Sequence, residues 1–175
     1  MTQNFSFQID LQDEAETILF AQQFANLVAS SDLLEKDIMV YLQGDLGAGK
    51  SFFSRALIQT FLPGQRVKSP TYTLFESYET EQTKLLHFDL YRLFDAEELE
   101  FLGIRELLTP PYLALVEWPT KGEGILPEAD ILLRFEVDGM TRHLSVEAMN
   151  ARVTPFVKNL TKQLGTKLDK KATIE

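Results

Sequence analysis

The chain has 175 residues, 45% of them hydrophobic, which is enough for one domain with a sizeable core and too few for two ordinary domains. It contains no cysteine, so disulfides and thiolate metal sites are excluded and a reducing compartment is expected. A net charge of −9 makes its surface unfavourable for the phosphates of nucleic acid.

The N-terminal segment predicts a strand followed by a helix. Phe5, Phe7, Ile9 and Leu11 alternate with polar residues, as in an edge or half-buried strand. An amphipathic helix is expected from about residue 13 to residue 28. Because the first residues are neither basic nor strongly apolar, and no later segment approaches a membrane span, we expect a cytoplasmic protein.

The most specific feature of the sequence is a nucleotide-binding motif in residues 44–51. These residues match the pattern G-x-x-x-x-G-K-[ST] in full. The preceding run, Asp37–Gln43, is apolar and rich in β-formers, and the following residues, Phe52–Leu62, have the apolar spacing of a helix. A strand, a glycine loop and a helix in this order predict a P-loop NTPase.

Each residue type in the motif has a chemical role at a nucleoside triphosphate. Glycines let the loop adopt positive φ angles, so that backbone N–H groups converge on phosphate oxygens at a helix N-terminus. Lys50 is expected to reach the β- and γ-phosphates, and Ser51 to offer its hydroxyl to Mg²⁺. The residues of the loop predicted to contact the nucleotide are Asp45, Leu46, Gly47, Ala48, Gly49, Lys50 and Ser51.

The segment after the P-loop helix departs from simple β-α-β alternation. Pro63-Gly64 ends the helix, and residues 72–78 and 85–91 both have strand character. The polar stretch 79–84 between them predicts a hairpin connection.

The remaining elements complete an α/β domain. They are a helix from Asp95 with Leu99, Leu102 and Leu107 facing inward, a buried strand over residues 113–118, a hairpin of residues 131–137 and 143–148, and a last helix from Thr154 through Leu164. We therefore predict a single P-loop NTPase domain over residues 1–164, with a mixed, mainly parallel sheet, hairpin insertions and flanking helices. The Lys-rich tail, residues 165–175, is expected to be disordered.

Two carboxylates are candidates for the metal site. Asp89 and Glu117 each end a short apolar run, so both are expected at the C-terminal edge of the sheet, where ligands bind in open α/β folds. Mg²⁺ keeps several water ligands, so Ser51 and one or two carboxylates are sufficient. Either acid could instead orient or deprotonate the attacking water, and the sequence leaves that division open.

Thr71, Arg92 and Arg105 could also approach the phosphates. Ser69-Pro70-Thr71 combines a rigid turn with a hydroxyl, as a loop that senses the γ-phosphate would. Arg92 and Arg105 could also contact phosphate, although arginines at such positions more often form surface ion pairs.

Two aromatic residues lie close to the candidate acids in the chain. Trp118, the sole tryptophan, directly follows Glu117 and could either pack in the core or border the nucleotide. His87 lies in an apolar strand, and only His143 accompanies it in the sequence, so a zinc site is disfavoured. We predict a buried histidine with satisfied hydrogen bonds.

Charge is distributed unevenly along the chain. Residues 1–157 hold 12 Lys and Arg against 24 Asp and Glu, a net charge of −12, whereas residues 158–175 have a net charge of +3. An acidic body favours a basic protein partner over nucleic acid.

Five segments, in their order and spacing, resemble the TsaE family, the bacterial ATPases of tRNA threonylcarbamoyladenosine biosynthesis. They are Gly-Asp-Leu-Gly-Ala-Gly-Lys-Ser, Ser-Pro-Thr-Tyr-Thr-Leu, His-Phe-Asp-Leu-Tyr-Arg-Leu, Glu-Glu-Leu-Glu-Phe-Leu-Gly-Ile-Arg and Val-Glu-Trp-Pro. The resemblance covers roughly residues 5–150, and its specificity comes from the combination.

The resemblance implies a P-loop ATPase that uses ATP and Mg²⁺. It would work with TsaB and the transferase TsaD, which places threonylcarbamoyl on the adenosine beside the anticodon, and would meet tRNA only through that complex. By matching motif, Lys50 and Ser51 would be the phosphate and Mg²⁺ residues, Asp89 and Glu117 the acids at the metal, Thr71 a switch-like residue and Trp118 a neighbour of the nucleotide. Lys50, Glu117 and Thr71 are then the expected catalytic residues. Ser51 stands where the family often has threonine, which preserves the hydroxyl.

Other functions of P-loop proteins are less well supported. A small-molecule kinase would need an arginine-bearing lid, and residues 119–128 contain no arginine. A GTPase is disfavoured because Asn-Lys-x-Asp is absent and Arg92, instead of glycine, stands three residues after Asp89. A non-catalytic nucleotide-binding adaptor would differ from an ATPase only in lacking turnover.

Overall fold

The computed structural model describes residues 4–167 and 173–174, which form one sheet with helices on both faces. The strands are β1 (Ser6–Leu11), β2 (Asp37–Gln43), β3 (Phe75–Glu79), β4 (Lys84–Asp89), β5 (Tyr112–Glu117), β6 (Ile131–Asp138), β7 (Thr141–Ala148) and β8 (Thr173–Ile174). The helices are α1 (Glu14–Ala29), α2 (Lys50–Phe61), α3 (Glu98–Phe101), α4 (Ile104–Leu107) and α5 (Thr154–Lys167). Short 3₁₀ turns cover Asp32–Glu35 and Pro119–Gly122.

The sheet is mixed, with the strand order β3-β4-β5-β2-β6-β7-β1-β8. Its four central strands, β4, β5, β2 and β6, run parallel, and the remaining neighbours pair antiparallel. The predicted α/β class and single mixed sheet are confirmed. Because the central strands are parallel, the ends of β2, β4 and β5 lie at one edge of the sheet.

Apolar residues cover both faces of this sheet. On one face, α1, α2 and α5 pack over the sheet through a cluster of phenylalanine rings, in which Phe24 lies 5.9 Å from Phe53 and 5.1 Å from Phe156 between ring centroids. On the other face, α3 and α4 cover β4 and β5 through buried side chains that include Leu99 and Ile104. The two layers hold the loops at the strand ends in place.

The N-terminal elements follow their sequence pattern. Phe7, Ile9 and Leu11 are buried while the residues between them are more exposed, as predicted for β1. Helix α1 begins after Asp13, whose side chain accepts a 2.9 Å hydrogen bond from the backbone N–H of Glu16.

Two predicted elements differ from the structure. Residues 72–74, predicted as the beginning of a strand, lie in a turn in which the N–H of Leu74 donates to the carbonyl of Pro70 at 2.8 Å. The helix predicted from Asp95 is instead two four-residue helices, α3 and α4, because Gly103 adopts a left-handed φ of 72° between them.

The C-terminal end also differs from expectation in the part that is described. Helix α5 continues to Lys167, beyond the predicted domain end at residue 164, and residues 173–174 pair with β1. Residues 168–172 and 175 of the predicted tail lie outside the described residues. Within the described ranges, no helix is both long and apolar enough to cross a bilayer.

Candidate nucleotide-binding site

The sheet register brings the candidate acids to the strand that precedes the P-loop. Glu117, the last residue of β5, pairs with Leu42 of β2 on one side and with Asp89 of β4 on the other. The P-loop leaves the same edge directly after Gln43. Both predicted carboxylates therefore lie beside the loop, as their positions at strand ends indicated.

Glycines give the loop the shape that phosphate binding needs. Gly44 has a φ of 151°, and a Cβ there would lie 2.7 Å from the carbonyl oxygen of Phe135, so a side chain cannot be accommodated. Gly49 precedes α2 with a φ of 108°, and no side chain caps that helix. The first N–H groups of α2 are thus available to an anion.

Lys50 is a buried cation at the centre of the site. Its ammonium donates a hydrogen bond to the carbonyl of Gly44 and lies 3.6 Å from the centroid of the Trp118 ring. Burial lowers the pKa of Lys50, while the carboxylates of Glu117 and Asp89 act in the opposite direction. A bound polyphosphate would provide the additional negative charge that favours the protonated ammonium.

Glu117 links the P-loop to a buried histidine. The hydroxyl of Ser51 donates to this carboxylate, with its Oγ 2.8 Å and 3.0 Å from the two carboxylate oxygens. The Nε2 atom of His87 lies 2.7 Å from Oε2 of the same group. His87 is therefore buried, as predicted, but it contacts the site. Its Nδ1 has no hydrogen-bond partner within the described part of the chain, so the prediction that its hydrogen bonds are satisfied was wrong.

Asp89 is the second carboxylate of the site. Its Oδ1 accepts a 3.1 Å hydrogen bond from the backbone N–H of Tyr91. Burial raises the pKa of Asp89, and the nearby charge of Glu117 adds to the increase, whereas the Tyr91 N–H opposes it. A carboxylate with a raised pKa is a better proton acceptor than an exposed one.

These groups open into one cleft of about 300 Å³. It is lined by Asp13, Glu14, Leu46, Gly47, Gly49, Lys50, Ser51, Phe52, Asp89, Glu117, Trp118, Met140 and Arg142. The cleft thus joins the glycine loop to the first turn of α1 and to the β6–β7 turn. The sequence left open whether Trp118 packs in the core or borders the nucleotide. In the structure it lines the cleft and is partly buried.

Arg142 is a site residue that the sequence analysis missed. Its Nε donates to the carbonyl of Ala48 in the P-loop at 3.0 Å, and its Nη1 donates to the carbonyl of Gly139 at 3.0 Å. The guanidinium therefore ties the loop to the β6–β7 turn. No motif marks this arginine, and only the pairing of β7 with β1 and β6 brings it near the loop.

Three predicted phosphate contacts lie away from the cleft lining. The hydroxyl of Thr71 is 2.6 Å from that of Ser69, Arg92 stacks 4.6 Å from the ring centroid of Tyr72, and Arg105 pairs with Glu100 at 3.0 Å. The segment after Thr71 contacts the site through Leu74, whose carbonyl accepts a 3.0 Å hydrogen bond from the N–H of Asp89.

The oxygen ligands at this site suit Mg²⁺, which takes its other ligands from phosphate and water, better than a metal ion that is coordinated entirely by protein side chains. A hydroxyl and a carboxylate, from Ser51 and Glu117, are hard oxygen ligands that already contact each other. Among the described residues, no group of three or more His, Asp or Glu side chains could hold a metal ion. Mg²⁺ bound through one or two protein oxygens, with phosphates and water as the other ligands, needs no such group.

Sequence comparisons with known proteins point to one family. The model of the family described as threonylcarbamoyl adenosine biosynthesis protein TsaE matches residues 11–144. The tRNA threonylcarbamoyladenosine biosynthesis protein TsaE of Haemophilus influenzae is 46% identical over 138 residues, which cover 79% of this chain and 87% of that protein. The protein of the same name from Rickettsia felis is 35% identical over 162 residues, 91% of each chain.

A solved structure supports the fold. The crystal structure of Bacillus subtilis YdiB matches with a TM-score of 0.73 at 21% identity, over 93% of this chain and 99% of that one. At this identity the likeness concerns architecture alone. The family match, which spans most of the chain, and the two relatives show that the protein belongs to the TsaE family.

Proposed function

We propose that this protein is a cytoplasmic, Mg²⁺-dependent ATPase that supports threonylcarbamoyl transfer to the adenosine beside the tRNA anticodon, acting with TsaB and TsaD. One observation carries the enzymatic part: part of the P-loop, including Lys50 and Ser51, and two buried carboxylates, Asp89 and Glu117, line a single cleft. Family membership supports the role in tRNA threonylcarbamoyladenosine biosynthesis, since the relatives carry that process in their names.

Nucleotide binding would use the uncapped N-terminus of α2 and Lys50. The ammonium of Lys50 donates to a backbone carbonyl and faces an aromatic ring, and it would exchange these contacts for bonds to the β- and γ-phosphate oxygens. Charge-assisted bonds of this type are about twice as strong as neutral ones. Lys50 would thus favour the triphosphate and stabilise charge that develops on the leaving ADP.

Ser51 and Glu117 would hold Mg²⁺, and His87 would fix the orientation of Glu117. Bound Mg²⁺ supplies electrostatic neutralisation of the β- and γ-phosphate oxygens. The hydrogen bonds from Ser51 and His87 restrain Glu117 from two directions, so its carboxylate is preorganised for this role.

Asp89 would orient the attacking water and accept its proton. Hydrolysis forms a bond between the water oxygen and the γ-phosphorus and breaks the bond from that phosphorus to the β–γ bridging oxygen. Asp89 lines the same cleft and has a raised pKa, which suits a proton acceptor.

Turnover by the isolated chain is expected to be slow. Arg92 and Arg105 contact other side chains away from the cleft, and Arg142 uses two of its nitrogens to hold backbone carbonyls. An arginine supplied to the γ-phosphate by a partner can be worth about 10³ to 10⁵ in rate. Faster ATP hydrolysis in the presence of TsaB and TsaD would be consistent with an arginine supplied in this way.

Phosphate release from ATP, measured with and without purified TsaB and TsaD, tests the proposal. We expect slow, Mg²⁺-dependent release by the protein alone and faster release with both partners. Nucleotide binding without release under either condition would instead support a non-catalytic adaptor. Transfer of the γ-phosphate to an added metabolite would support a kinase.

A further inference from the structure

The segment from residue 91 to residue 107 exposes large aromatic side chains although it is firmly anchored. Phe94 and Phe101 are 95% and 90% exposed. In the same segment Leu93, Leu99 and Ile104 are buried in the core that covers β4 and β5. The outward position of the two phenylalanines is therefore set by a packed backbone, and their almost complete exposure makes both rings available for contact with another molecule.

Exposed acidic residues, here called the acidic rim, flank these rings along the segment. The segment holds Asp95, Glu97, Glu98, Glu100 and Glu106 against two arginines, a net charge of −3. Arg92 stacks on Tyr72, and Arg105 pairs with Glu100. The carboxylates that remain give the outer face of residues 91–107 an acidic character.

We propose that the outer face of residues 91–107 docks a protein partner whose surface carries Lys and Arg side chains around an apolar pocket. Charge complementarity selects this occupant, because acidic side chains repel nucleic-acid phosphates and anionic lipid surfaces. A second copy of the chain would bring the same acidic rim against itself. The inference rests on the proposed partnership with TsaB and TsaD, and it assigns the surface through which that partnership operates.

The face is connected to the nucleotide site through Tyr91. The backbone N–H of Tyr91 donates to Asp89, and its ring lies 5.1 Å from that of Trp118. Trp118 in turn lies under the ammonium of Lys50. A partner on residues 91–107 therefore contacts the segment that positions the proposed water-orienting acid, which provides a physical route from docking to turnover.

The test uses the full chain with Phe94→Ser and Phe101→Ser combined, and binding to a purified TsaB–TsaD complex is measured by calorimetry. Central aromatic contacts often dominate an interface, so we expect affinity to fall at least about tenfold. The control is Ile18→Gln, which also removes a partly exposed apolar side chain, on α1. Wild-type affinity in the double variant would overturn the assignment.

Charge reversal provides a second, independent test. Glu97→Lys with Glu106→Lys should weaken binding, whereas Glu79→Lys with Glu81→Lys, the same charge change on the β3–β4 hairpin, should not. Equal effects of both pairs would contradict a local docking face. If the wild-type chain does not bind the complex, the docking assignment fails, while phosphate release by the lone chain still tests the ATPase proposal separately.

Discussion

His87 and Glu117 form a buried hydrogen bond between neighbouring parallel strands, with Nε2 of His87 2.7 Å from Oε2 of Glu117 and side-chain exposures of 2% and 3%. A buried carboxylate is costly unless it is hydrogen-bonded. Because Ser51 donates to the same carboxylate, Glu117 is held between the P-loop and His87. His87 is thus a positioning residue of the proposed active site.

Replacement of His87 tests this role. His87→Leu keeps much of the volume but removes the donor, and loss of a hydrogen bond to a charged group costs about 1.5–3 kcal/mol, roughly ten- to a hundredfold in kcat. The KM for ATP should change little, since His87 does not line the cleft. His87→Gln, which retains an N–H donor, should recover most of the activity. Equal loss in both variants would indicate a packing role instead.

The two carboxylates should have different magnesium dependences. Glu117→Gln is expected to raise the Mg²⁺ concentration needed for half-maximal phosphate release, and Ser51→Ala should do the same, because these groups contact each other. Asp89→Asn should lower kcat by about 10² to 10⁴ with an unchanged Mg²⁺ requirement. A Mg²⁺ titration of each variant distinguishes these roles. A raised Mg²⁺ requirement in Asp89→Asn, with an unchanged requirement in Glu117→Gln, would assign the metal to Asp89 and the water to Glu117.

Arg142→Ala should weaken nucleotide binding about tenfold, since the P-loop loses its hydrogen bond from Nε to the carbonyl of Ala48. Emission of Trp118, the sole tryptophan, serves as the readout, because bound nucleotide would draw Lys50 away from its ring. Arg66→Ala, which removes an exposed arginine of the loop after α2, is the control. Unchanged affinity in Arg142→Ala would show that the loop keeps its shape unaided.

His143 should make stability depend on pH. Its ring nitrogens lie 2.6 Å from Oδ1 of Asp10 and 3.1 Å from Oδ2 of Asp138. These hydrogen bonds raise the pKa of His143 above its ordinary value of 6.5. The folded state therefore holds the proton more tightly, so the stabilisation is fully present below about pH 6.5 and is lost as pH rises through the raised pKa.

The Tm of the wild type and of His143→Asn, followed from about pH 5 to pH 9, checks this direction. The advantage of the wild type should be largest in acid and shrink as pH increases. An advantage that grows with pH, or one that stays constant, would contradict the assigned role of the Asp10 and Asp138 contacts.

The sequence predicted the elements whose signal is local. The strand Asp37–Gln43 has the predicted bounds, and α2 (Lys50–Phe61) begins two residues before the predicted range Phe52–Leu62. Asp89 and Glu117 could be placed together because parallel strands end at one edge. These predictions needed only patterns within a few residues of each site.

Features set by distant contacts were not predictable. Arg142 reaches the loop only through hairpin pairing at the far side of the sheet, and the hydrogen bond from His87 to Glu117 depends on the register of β4 against β5. The helix break at Gly103 was missed because the apolar spacing of the leucines continues across it. Tertiary geometry decided the first two features, whereas the break at Gly103 is a local feature that the leucine spacing concealed.

The most direct measurement of the central claim is phosphate release from ATP by Lys50→Ala beside the wild type, with Lys162→Ala, an exposed lysine of α5, as the matched control. Loss of the ammonium that would bind the β- and γ-phosphates should cost on the order of 10² to 10⁴ in rate. We predict that Lys50→Ala releases no detectable phosphate while Lys162→Ala matches the wild type. Unchanged release by a folded Lys50→Ala protein would contradict the assignment of this cleft as an ATPase site.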